Sequence, residues 1–183
     1  MYSDARSKRV VLVSHCILNA NSLSDGTADY PAVNSDIVQL LARSDIGIIQ
    51  MPCPELMCLG LDRGDVRGAE RHVVVENTRI RAELEKPSTH RMLMSYVDQV
   101  TFQAEQYVTA GFDLLGIIGV DRSPSCGVNT TSKGGREVAG QGVFVESLQA
   151  ALHEKGISVR LVGTKGRRTE EALRMIKDMI DGT

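Results

Sequence analysis

The stretch that most constrains this chain lies at residues 113–127, DLLGIIGVDRSPSCG. It opens as an apolar run with the length and character of a strand buried on both faces. It closes in Ser-Pro-Ser-Cys-Gly, where a strand cannot continue. Pro124 lacks a backbone donor and pushes Ser123 into an extended conformation. Gly127 admits a turn where a side chain would clash. Cys126 is therefore expected on a stiff turn at the carboxyl end of a strand. Two other cysteines repeat the arrangement: Cys16 follows RVVLVSH at residues 9–15, and Cys53 follows IGIIQM at residues 46–51. The expectation is that these three thiols converge.

The rest of the chain supplies helices between the strands. Residues 16–31, rich in Asn, Ser, Asp and Gly, read as a loop longer than a simple connection needs. A helix follows, capped by Asn34 or Ser35, with Ile37, Val38, Leu40 and Leu41 on one face. HVVVE at residues 72–76 fits either a short strand or an irregular apolar segment. Pro87 opens a long helix whose apolar face runs from Leu93 through Val97, Val100 and Ala104 to Val108. Residues 127–141 read as a Gly-rich polar loop, followed by a helix from Val143. A fourth strand is expected at 157–162, then a last helix with Ala172, Leu173, Met175, Ile176, Met179 and Ile180 facing the core.

Four strands alternating with helices predict an α/β chain: one Rossmann-like, three-layer domain over residues 1–183, with a mainly parallel four-stranded sheet. In such sheets ligands sit beyond the carboxyl ends of the strands, where the strand order switches. With the order 2-1-3-4, the three strands that end in cysteine are neighbours.

Composition narrows the partners. A net charge of −2 and a pI near 6.1 offer nothing to a nucleic-acid polymer. Aromatics are 4% and Trp is absent, which removes a base-stacking platform. No apolar run approaches the roughly 20 residues of a membrane helix, and the start of the chain does not read as a secretory signal. The expectation is a cytoplasmic protein, whose four cysteines serve a metal or catalysis more than disulfides. The oligomeric state is left open.

Three thiolates at one sheet edge suit a soft metal or an iron–sulfur cluster. CxxC spacing is absent, so the usual zinc-ribbon pattern is missing. Each cysteine taken singly also reads as a small buried apolar residue. A cluster with three protein ligands keeps one iron open for substrate. Two other chemistries remain: a zinc or structural metal protein that adds His15 or Cys58, and an enzyme that uses Cys126 or Cys16 as nucleophile or sulfur carrier.

The motifs SHC (residues 14–16), CPE (53–55) and SPSCG (123–127), in this order, resemble the 2-thiouracil desulfurase family. The resemblance spans roughly residues 10–127. It implies a 4Fe-4S cluster held by Cys16, Cys53 and Cys126, and removal of sulfur from a small thiocarbonyl substrate without net redox change. It implies Glu55 as the acid–base group and Ser123 as its catalytic partner, with Ser125 second. The competing reading of Glu55 is a turn or helix-start cap. Asn19 and Ser22, just past Cys16, and Ser125 are candidate substrate contacts. His15 and Asn19 depart from the family's small residue and glycine. Cys58 reads either as an idle thiol or as a fourth ligand that would close the open iron. Arg63, Arg67 and Arg71 read as a solvated basic surface, or as holders of an anionic group.

Overall fold

The computed structural model describes residues 2–166 and 169–182, the side chain of Thr169 excepted. β1 (Arg9–Val13), β2 (Gly47–Gln50), β3 (Asp113–Val120) and β6 (Arg160–Thr164) form a sheet in the order β2-β1-β3-β6. Every pairing in it is parallel. Chain direction therefore runs one way across the sheet, and β1, β2 and β3 deliver their carboxyl ends to one edge.

Alternation along the strands builds two cores, because successive side chains leave a strand on opposite faces. Val10 and Leu12 of β1 and Ile117 of β3 join one cluster with α4 (Val73–Leu84), α5 (Pro87–Thr109) and α6 (Val143–Glu154). Val11, Val13 and Ile118 join the other with α2 (Ser35–Arg43) and α7 (Thr169–Asp181). Both faces of the sheet are covered, which explains why the strand sequences read as continuous apolar runs. β2 is an edge strand and leaves Ile48 exposed.

Several local expectations change. HVVVE is helical: its valines begin α4, where Ile80 and Leu84 carry the burial that Val75 does not. Tertiary contact outweighs the β-branched composition here. The loop after β1 contains α1 (His15–Leu18) and a 3-10 turn at Ala20–Ser22. Its ends are tied where Ala20 donates to the Ala32 carbonyl and Asn34 to that of Ile17. Asn34 is the α2 cap, accepting from the Ile37 N–H. CPE opens α3 (Pro54–Leu59).

The Gly-rich stretch holds an antiparallel hairpin, β4 (Thr130–Lys133) and β5 (Arg136–Ala139). Gly134 and Gly135 turn it with φ of 62° and 74°, the left-handed backbone that a two-residue hairpin turn requires. The fourth sheet strand begins at Arg160, because its register to Gly116–Val120 of β3 starts there. On α7, Met175 is exposed while Ala172, Ile176, Met179 and Ile180 are buried.

Candidate functional site

At the carboxyl edge of the sheet one cavity is lined by Cys16, Ser22, Cys53, Glu55, Ser123, Ser125 and Cys126. The three cysteines arrive on different devices. Cys16 lies in the first turn of α1. Cys53 is the N-cap of α3, and its Sγ accepts from the Leu56 N–H at 3.5 Å. Cys126 sits on the turn after β3.

That turn is clamped from both sides. Asp121 Oδ1 accepts from the Asn129 N–H at 2.8 Å and from the Val128 N–H at 3.2 Å. Ser123 Oγ accepts from the Cys126 N–H at 3.0 Å and the Ser125 N–H at 3.2 Å. The carbonyls of Pro124 and Ser125 accept from Val143, Phe144 and Val145, the orphan donors at the start of α6. Gly142 makes this contact possible, since a Cβ there would stand 2.3 Å from the Ser125 carbonyl carbon.

Glu55 is buried on α3 and has a partner on every side. Its Oε1 accepts from Ser125 Oγ at 2.6 Å and Ser123 Oγ at 3.2 Å. Its Oε2 accepts from Arg63 Nε at 3.2 Å. Arg63 is 3% exposed, which sets aside its reading as a solvated surface cation. The same guanidinium donates to the carbonyls of Gly60, Leu61 and Ser22, and one of its nitrogens lies 4.0 Å from Cys53 Sγ. The sequence signal for Arg63 was indirect: a buried carboxylate demands a cation or several donors nearby. Arg71 pairs instead with Asp65 and Glu76. Tyr30, which the sequence reading did not single out, lines the cavity and donates to the Cys16 carbonyl at 3.1 Å.

Ser22 is buried beside the thiols, its hydroxyl donating to the Asn19 carbonyl at 2.8 Å. Asn19 is engaged within its own loop: Oδ1 accepts from the backbone and side-chain nitrogens of Asn21, and Nδ2 faces His15 Nε2 at 3.4 Å. The cavity lining includes His15 and omits Asn19. Cys58 also stands apart from the cavity, packed against the helical core with its Sγ towards the Thr89 carbonyl at 3.8 Å.

The electrostatics link the three sulfurs. Burial pushes the Cys126 thiol up to about 12, with Cys53 adding to the shift. Burial pushes Cys53 up to about 11, with Glu55 adding, while the Leu56 N–H and Arg63 oppose it. Cys16 is raised well above the ordinary thiol range by burial, then by Cys126 and Cys53. Such a pocket disfavours three thiolates until a cation compensates them.

Among the described residues no three His, Cys, Asp or Glu side chains gather closely enough to hold a single metal ion. Zinc, with Zn–S bonds of about 2.3 Å, needs that closeness. The cysteines of a four-iron cluster each bind a different iron and stand further apart. All three thiols line the one cavity.

Fold and site together define an α/β protein with a thiol-lined cleft and a buried carboxylate–serine group at its sheet edge. A family model described as 2-thiouracil desulfurase matches residues 11–159, and the chain belongs to that family. The family name denotes enzymes that break a carbon–sulfur bond. An uncharacterized protein of Methanocaldococcus jannaschii is 26% identical over 123 residues, 67% of this chain and 70% of that protein. A solved structure of the 4Fe-4S-dependent thiouracil desulfidase TudS aligns with 18% identity and a TM-score of 0.40, over 93% of this chain and 99% of its own.

Proposed function

We propose that this protein is a non-redox desulfidase acting on a small thiocarbonyl compound such as a thiolated pyrimidine. The reading places a 4Fe-4S cluster on Cys16, Cys53 and Cys126. The observation that carries it is the opening of three thiols and the Glu55–Ser123–Ser125 group onto one cavity. Bound there, such a cluster supplies a Lewis-acidic iron with a position free for sulfur, which makes the attached carbon electrophilic.

The chain's own residues do the rest. Arg63 holds Oε2 of Glu55, which leaves Oε1 as the oxygen that faces the serines and the cleft. At Oε1 the carboxylate takes a proton from the water that adds to the thiocarbonyl carbon, then returns it as the sulfur leaves. The Ser123 and Ser125 hydroxyls hold that oxygen in place and orient the base. The loop carrying Ser22 and Tyr30 walls the cleft against bulk water. In the net change one C=S becomes C=O, water supplies the oxygen, and sulfur leaves as hydrogen sulfide with no oxidation or reduction.

The geometry weighs less well with the other chemistries. A cysteine nucleophile works as thiolate and sits where its pKa is lowered, whereas burial raises all three thiols here. The deciding experiment is anaerobic iron–sulfide reconstitution, followed by sulfide release from a panel of thiolated pyrimidines. Iron and sulfide near four per chain and turnover of at least one base are expected, unchanged in Cys58→Ser and lost in Cys126→Ser. A protein that takes up no cluster, or a stoichiometric zinc ion in its place, overturns the reading.

A further inference from the structure

Asn77 lies on α4 and is only 8% exposed, yet it lines the cavity together with the three cysteines, Ser123 and Ser125. Val73, one turn earlier on the same helix face, lines it too. The chemistry above uses neither.

The Asn77 amide is oriented by what it touches. Its Nδ2 lies 3.2 Å from the Arg122 carbonyl and 3.4 Å from Ser132 Oγ. Ser132 gives its own hydroxyl proton to that same carbonyl, at 2.8 Å. Both atoms that meet the amide are therefore acceptors, and only its NH2 end fits them. The carbonyl end is left without a partner. Among the described residues, the unpartnered side-chain polar atoms sealed from solvent belong to Ser14 and Thr101. Asn77 Oδ1 is not sealed, and on so buried a residue the space it reaches is the cavity that the residue lines.

An amide tied down by its NH2 end can only accept at the other. Turning it round would set its oxygen against two acceptors. The complement of this oxygen is thus a ligand N–H. The Glu55 oxygens are already engaged by Arg63 and the two serines, so Asn77 supplies an acceptor that the reaction leaves open.

We infer that Asn77 is a specificity-determining residue, its Oδ1 accepting a hydrogen bond from a ring N–H of the substrate. The site then takes thiolactams with a free ring N–H and disfavours their N-alkylated forms. This deepens the desulfidase reading above and rests on it. A site that hydrogen-bonds an N–H discriminates against the analogue that lacks it, because a buried acceptor is left unpaired. The bond is made to the ring and not to the reacting carbon, so it acts on binding more than on the chemical step.

The test uses reconstituted protein with 2-thiouracil, 4-thiouracil and the 1-methyl and 3-methyl derivatives of each. Sulfide release gives kcat and KM, and calorimetric binding of uracil reads affinity without turnover. Asn77→Leu keeps the volume and removes the acceptor, and Asn77→Ala is made beside it. Ser132→Ala removes the other donor to the Arg122 carbonyl and leaves the acceptor in place. Wild type is expected to prefer a parent base over one of its methyl derivatives by about ten-fold or more in kcat/KM. In the Asn77 variants that preference disappears, KM rises more than kcat falls, and uracil binds more weakly. Ser132→Ala, which loosens the turn alone, lowers turnover of all the bases alike and keeps the wild-type preference. The Asn77 assignment is overturned, with the desulfidase reading intact, if wild type turns over parent and methylated bases equally, if the Asn77 variants keep the preference, or if Ser132→Ala abolishes it too. If wild type releases sulfide from neither parent base, both fall.

Discussion

Glu55 is the residue whose surroundings say most about chemistry. It is 8% exposed, yet both of its oxygens are bonded, one to a cation and one to two serines. Glu55→Gln keeps the shape and removes the base. It is expected to retain iron after reconstitution while sulfide release falls by about 10²–10⁴-fold, the usual worth of a positioned acid–base group; equal turnover would remove Glu55 from the reaction. Arg63 is a separate matter of stability. Arg63→Met leaves a buried carboxylate without its cation, which costs about 3–5 kcal/mol in comparable pairs. Urea unfolding at neutral pH reads this directly, and a change under 1 kcal/mol would mean that the pair behaves as a surface contact. Glu55 was singled out through the resemblance of the CPE motif to the family. The pairing of Arg63 was not legible, because its burial depends on α3 turning back at Gly60, where φ is 82°.

At the scale of elements, the SPSCG turn is held by the start of α6, and neither is complete alone. The α6 donors need acceptors, and the turn's carbonyls supply them. Gly142 has an ordinary helical-entry φ of −72°, so an alanine there meets no backbone strain. Its Cβ would meet the Ser125 carbonyl carbon at 2.3 Å instead. Gly142→Ala is therefore expected to cost about 1–3 kcal/mol by overpacking and to lower cluster loading by displacing Cys126. Iron content per folded chain measures the second effect; full loading would show that the turn does not depend on α6. The hairpin is fastened as well, with Arg81 on α4 donating to Thr131 Oγ1 at 3.2 Å and to the Gln141 carbonyl at 3.1 Å. A Gly-rich composition hid these strands, since the Gly-Gly pair is a turn signal only when both flanks pair.

For the molecule as a whole, charge adds an acid-side limit to stability. The Arg79 hydrogen bond to Glu76, followed by the charges of Arg79 and Arg71, holds the Glu76 carboxyl below its ordinary range although the side chain is buried. A depressed carboxyl stabilises the fold above the unfolded value, about 4.3, and that contribution disappears as pH falls through the folded value. Urea midpoints are expected to drop below about pH 4.3, and Glu76→Gln to flatten part of that drop; an unchanged slope would remove Glu76 as its source. The sequence by itself determined the class of fold and the order of its parts. Continuous apolar runs between helical segments allow little but a buried parallel sheet, and a strand must stop at Ser-Pro-Ser-Cys-Gly. It also put cysteines just beyond three strand ends, because local chain stiffness is written in local residues. Only the tertiary structure decided who faces whom. The Arg63–Glu55 pair, the unbonded Ser14 hydroxyl, the separation of Cys58 from the cavity and the helical fate of HVVVE all depend on packing between distant segments. Burial is a property of the assembled layers, and no residue carries it alone.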